Sequence, residues 1–165
     1  MELCTIEGFM AADRIAQLEY DWEANYVEPC IPPVRLSREE CEEYVRKAVA
    51  ISGVVAPTLS FPKTRNRCTF YPMRWHVEIS GWGRTPVTIL HEMAHLAALP
   101  AALAGENPHG PAFVRQAIEF YHRIIGIDQA HLFETAARVG LQIGGTLYRH
   151  RAPKRPDLDF SHIDI

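Results

Sequence analysis

Thr85-Pro86-Val87-Thr88-Ile89-Leu90-His91-Glu92-Met93-Ala94-His95-Leu96-Ala97-Ala98-Leu99-Pro100 is the stretch on which the fold turns. Thr85 offers an N-cap hydroxyl and Pro86 fills the first helical position, so a helix starts here; Pro100 is expected to end it. Nearly every side chain between them is apolar, and the polar ones, Thr88, His91, Glu92 and His95, form one narrow stripe at helical spacing. A helix this apolar is buried, where an unpaired polar group costs roughly 1–3 kcal/mol. Histidines four residues apart stand one turn above each other on the same face, so His91 and His95 can aim ring nitrogens at one metal ion. Glu92 lies beside them, within reach of a water on that ion but out of line to ligate it. The competing reading is a core helix carrying two hydrogen-bonded histidines. The apolar setting and the complete five-residue pattern favour the metal.

Catalytic zinc commonly takes three protein ligands and leaves one position for water. His109 is the leading third ligand. It lies in Asn107-Pro108-His109-Gly110-Pro111-Ala112-Phe113, past a Gly-containing loop and just before Gly110-Pro111 opens another helix. A histidine at such a junction can be held rigidly and still face the first helix. Glu106 and Glu119 compete for the role, although Glu119 falls on the more polar side of its helix with Arg115 and Arg123. The extended metzincin pattern is excluded, because Ala98 and Ala101 stand where it needs Gly and His.

His91-Glu92-Met93-Ala94-His95, followed after a short loop by His109-Gly110-Pro111-Ala112-Phe113, resembles the SprT-like zinc metallopeptidases, which include the Spartan-type proteases. The chain is also similar to a group of actinobacterial and phage-type metallohydrolases of comparable size. The resemblance covers roughly residues 70–125. It implies metal ligands His91, His95 and His109, a Zn2+ cofactor, and Glu92 as catalytic base. Many SprT-like proteins carry a four-cysteine zinc ribbon after the protease core. Here the cysteines are Cys4, Cys30, Cys41 and Cys68, with no CxxC pair and none after His95, so the DNA-linked role of the family does not carry over with the motif.

A length of 165 residues fits one domain, large enough to bury a real core. A net charge of −3 argues against a molecule-wide polyanion binder. Glu2, Asp13 and Arg14 interrupt the N-terminal region, so no secretory leader or membrane span is expected. Four irregularly spaced cysteines do not read as a disulfide framework, which points to a reducing cytoplasm.

Residues 1–35 read as an N-terminal extension, with a short helix near residues 11–20 and a stretch broken by Pro29, Pro32 and Pro33. Ser37-Arg38-Glu39-Glu40 is a capping box for a helix whose stripe is Cys41, Tyr44, Val45, Ala48 and Val49, closed by Gly53. Strands are expected over residues 54–59, 68–71 and 75–80, with a basic turn at residues 63–67. Phe113, Val114, Ala117, Ile118, Tyr121 and Ile125 mark an amphipathic helix ending at Gly126. Asp128 caps a further helix, with Ile127 and Leu132 as a hydrophobic staple. Periodicity is lost from Gly140, leaving residues 141–165 as an irregular C-terminal tail. The expected class is α+β, resembling the zincin plan: a small mixed sheet packed on helices, one of which carries HExxH. In that plan a strand beside the cleft can accept an extended peptide; residues 75–80 read equally as that edge strand and as an internal one.

The expected chemistry is peptide hydrolysis, with Glu92 assisting attack by metal-activated water and then protonating the leaving amine. Tyr71, His76, Tyr121 and His122 are available as oxyanion donors, but each reads more readily as structural. His131 and His150 lack supporting spacing and are expected to face solvent. The basic run Arg149 to Arg155 can touch nucleic acid, although Asp157, Asp159 and Asp164 close behind it favour a solvated tail. A protein or peptide substrate is the expected partner. The alternatives are a metal-binding regulatory or DNA-associated module, or a hydrolase of non-peptide amides.

Overall fold

The computed structural model describes residues 6–63 and 68–145, with side chains from residue 14 onward. Most of the basic turn, Cys4, His150 and the basic run near the C-terminus lie outside the described residues. The chain is α+β, with five α-helices and one three-stranded mixed sheet among the described residues. The helices are α1 (Ile6–Trp22), α2 (Arg38–Ser52), α3 (Pro86–Leu103), α4 (Pro111–Phe120) and α5 (Gln129–Val139); the strands are β1 (Thr58–Ser60), β2 (Thr69–Tyr71) and β3 (His76–Glu78).

Local chemistry places most of these boundaries. The Ser37 hydroxyl accepts from the Glu40 N–H while the Glu40 side chain accepts from the Ser37 N–H, and Gly53 closes α2 in the left-handed region. Thr85 caps α3 by accepting from the Thr88 N–H, and Asp128 caps α5 by accepting from the His131 N–H. Ile127 and Leu132, the expected staple pair, are both in the core.

Several boundaries differ from expectation: the strand expected over residues 54–59 is the short β1 at Thr58–Ser60, that expected over residues 75–80 is β3 at His76–Glu78, and two helix boundaries move. The first helix is longer than residues 11–20: α1 starts at Ile6, and helical turns continue it through a π turn at Glu23–Val27 and a 3-10 turn at Glu28–Cys30. It is anchored by fully buried Trp22, whose indole N–H donates to the Thr135 hydroxyl on α5 at 3.0 Å. Pro100 does not end α3, which runs on to Leu103. Proline removes one hydrogen bond of the last turns, but Ala101 is buried there and a Schellman arrangement closes the end. Gly105 N–H donates to Ala102 O and Glu106 N–H to Ala101 O, with Gly105 at φ 97°.

The sheet order is β1-β3-β2, with β1 parallel and β2 antiparallel to β3. Residues 75–80 therefore supply the internal strand, and both edges of β3 are taken. The edge beside α3 belongs to β2. The core lies between α3, α2 and α4, with Val77 and Ile79 contributed from β3 and its continuation. Leu141 is buried and Gly144 N–H donates to Pro111 O at 2.8 Å, so the start of the C-terminal segment packs against α4. Among the described residues no helix is long and apolar enough to cross a membrane.

Candidate metal centre

α3 presents His91, Glu92 and His95 from a helix most of whose other side chains are apolar and buried. The Nε2 atoms of His91 and His95 face each other at 3.2 Å. Two imidazoles on one tetrahedral ion at ~2.0–2.1 Å would stand ~3.3 Å apart, close to this spacing. The Schellman turn swings the chain back, and Asn107 Oδ1 accepts from the His109 N–H at 2.8 Å, fixing the loop. His109 then meets the pair: its ring centroid is 4.5 Å from that of His95 and 5.4 Å from that of His91. Ligand atoms of the three residues all lie within 4.8 Å of one another. Phe113 is their common floor, with its centroid 5.0, 4.5 and 5.0 Å from His91, His95 and His109.

Neither competing carboxylate joins them. Glu106 Oε1 accepts from the Ala112 N–H at 2.6 Å and so serves the start of α4, and Glu119 pairs with Arg123 at 3.1 Å. Of the oxyanion candidates, His76 is held between the Thr58 and Ser60 hydroxyls, each at 2.8 Å. His122 Nδ1 lies 2.9 Å from Ile127 O. His131 is half-buried rather than solvent-facing, with Nε2 3.0 Å from Tyr26 O, because the turns after α1 pack onto α5.

A second layer lies behind His91, supplied largely by residues remote from it in the chain. Glu23, at the start of the π turn after α1, sets its carboxylate oxygens 3.1 and 3.2 Å from His91 Nδ1. Glu19 Oε1 is 3.4 Å from the same nitrogen. The Tyr121 hydroxyl donates to Glu23. Tyr20 stacks on the His91 ring at 5.5 Å. Glu19, Glu23 and Tyr121 are all buried.

Electrostatics separate the three histidines. Burial opposes charge on His91, but the Glu23 and Glu19 carboxylates outweigh it and hold His91 well above its ordinary value. Burial, then the neighbouring His91 charge, pushes His95 well below its ordinary value and His109 down to about 4. Both are thus neutral donors at pH 7. Burial and the adjacent Glu23 carry Glu19 up to about 9, whereas Glu23 lies lower than usual because His91 outweighs its burial. Burial also raises Glu92, opposed by His91 and by the Phe70 N–H.

The donor set fits a divalent transition ion. Imidazole nitrogens suit Zn, Cu, Fe and Ni. His109 Nε2 is buried with no hydrogen-bond partner, a costly state that a ligated cation would remove. A cleft of about 820 Å³ opens over His91, Glu92 and His95, between Phe70 of β2, Leu99 of α3 and the exposed rings of Tyr20 and Trp82. Comparison of the chain with protein families, characterised proteins and solved structures finds no match.

Proposed function

We propose that the protein is a zinc-dependent metallopeptidase of zincin-like, SprT-like type, acting on protein or peptide substrates in the cytoplasm. The observation that carries this reading is the meeting of His91, His95 and His109, with Glu92 lining the same open cleft as His91 and His95. His91, His95 and His109 would hold the ion. When bound, it would supply Lewis acidity that lowers the pKa of water toward ~7 and polarises a carbonyl.

The remaining steps belong to the chain. Glu92, its carboxylate fixed by the Phe70 N–H at 2.9 Å, accepts the proton of the attacking water. The same carboxyl group then returns that proton to the leaving amine nitrogen as the C–N bond breaks. Phe113 and the apolar face of α3 keep bulk water from the back of the histidines. A purely structural site has no use for a carboxylate on its open side, and among the described residues no fourth protein ligand groups with the three histidines. Both points favour catalysis over a regulatory metal module.

The test is metal analysis of the purified chain, followed by hydrolysis of an unfolded protein by the zinc-loaded form and by Glu92→Gln. Stoichiometric zinc with hydrolysis lost in Glu92→Gln supports the proposal. Equal hydrolysis by the two forms would remove the proposed base.

A further inference from the structure

We propose that Glu23 is the positioning residue that sets His91 as a metal ligand, and that Tyr121 holds Glu23 in that role. The inference rests on the metal reading of the three histidines and adds two residues to the site. His91 Nε2 faces His95, so only Nδ1 can be addressed from behind. A carboxylate can only accept; Glu23, with both oxygens near Nδ1, requires the proton there and leaves the Nε2 lone pair turned toward the other two imidazoles. The Tyr121 hydroxyl fixes one of those oxygens in turn. Glu19 Oε1 approaches the same Nδ1 at 3.4 Å from one helical turn earlier.

The backbone supports the same assignment. Glu23 opens the π turn Glu23–Val27 at the end of α1, and Tyr121 opens the π turn Tyr121–Ile125 at the end of α4. Wide turns of this kind recur at functional sites. Here two of them bring their first side chains together behind one histidine. A stabilising role alone is a poor account of this cluster, because apolar residues of similar volume would fill a buried space at least as favourably.

Competition with a chromophoric chelator measures Zn2+ affinity on the full chain for wild type, Glu23→Gln and Tyr121→Phe, and the visible spectrum of the Co2+ form reports ligand geometry. Glu23→Gln is expected to weaken Zn2+ binding ~10–100-fold and alter the Co2+ bands, while the metal-free chain still unfolds cooperatively. Tyr121→Phe moves both readouts in the same direction by a smaller factor, and it carries the test should Glu23→Gln fail to fold. Wild-type affinity and spectra in both variants would overturn the positioning role. Absence of Zn2+ binding by the wild type would overturn the metal reading and this inference together. Tight binding without hydrolysis would overturn only the peptidase reading.

Discussion

The backbone N–H of Phe70 donates to Glu92 Oε2 at 2.9 Å, tying the carboxylate of α3 to the free edge of the sheet. Phe70 stands opposite Val77 in the antiparallel pair, and its N–H points away from β3. The bond favours the ionised carboxylate, which burial alone would disfavour. It also fixes how far Glu92 reaches over the cleft. The outward N–H of Phe70 is thereby taken, so a substrate strand cannot use it without displacing the base.

Glu92→Asp separates reach from charge. The shorter side chain keeps the carboxylate but draws it back by about one C–C bond. A displacement of about 1 Å at a reacting group costs on the order of 10²-fold in rate. Hydrolysis of an unfolded protein is expected to fall by that factor, with zinc content unchanged. A Glu92→Asp variant that works at the wild-type rate would show that the Phe70 tether is irrelevant to catalysis.

How much of this site is legible in the sequence depends on distance along the chain. His91, Glu92 and His95 declare themselves because helical periodicity converts spacing directly into a shared face. His109 is legible because its loop is short and bracketed by Gly105 and Gly110-Pro111. Glu23 meets His91 across 68 positions, and no local rule connects them. The one trace is that Glu19 and Glu23 are themselves four apart beside Trp22, a helical acidic pair flanking a large apolar residue. The central place of β3 and the survival of α3 beyond Pro100 were hidden for the same reason. Strand order is a non-local choice, and the packing around Ala101 outweighs the local cost of proline.

Gly110→Ala tests how tightly the His109 loop is built. Gly110 has ordinary φ, but a Cβ there would stand 2.7 Å from Asn107 O and 2.9 Å from the Glu106 side chain. Backbone must shift to admit it, and overpacking of this kind typically costs about 1–3 kcal/mol. The shift falls on the residue next to His109, so weaker Zn2+ binding should accompany the lower urea midpoint. Chelator competition and urea unfolding measure the two effects. A destabilised variant with unchanged Zn2+ affinity would mean that the loop does not need this geometry to present His109.

Cys41 predicts a pH dependence of stability remote from the metal centre. The thiol is fully buried in α2, and burial pushes it from 9.0 up to about 11. The folded state thus resists ionisation longer than the unfolded chain does. The resulting stability is complete below pH 9 and is lost as the pH rises toward 11. Cys41→Ala is less stable at pH 8, because it empties a core position. Its urea midpoint should nevertheless fall less between pH 8 and pH 11 than that of the wild type. Parallel falls in the two proteins would mean that the thiol does not contribute to alkaline unfolding.

Thr135→Val tests the anchor of the helix that carries the inner carboxylates. The Thr135 hydroxyl accepts from the Trp22 indole N–H at 3.0 Å and donates to His131 O at 2.8 Å. Valine keeps the volume but leaves the buried indole N–H unpaired, a loss of about 1–3 kcal/mol. Trp22 is adjacent to Glu23, so loosening it also frees the carboxylate behind His91. Urea unfolding should show the stability loss, and Zn2+ affinity should fall several-fold with it. Lower stability with unchanged Zn2+ affinity would show that α1 holds Glu23 through its contacts with His91 and Tyr121 alone, independently of the Trp22 anchor.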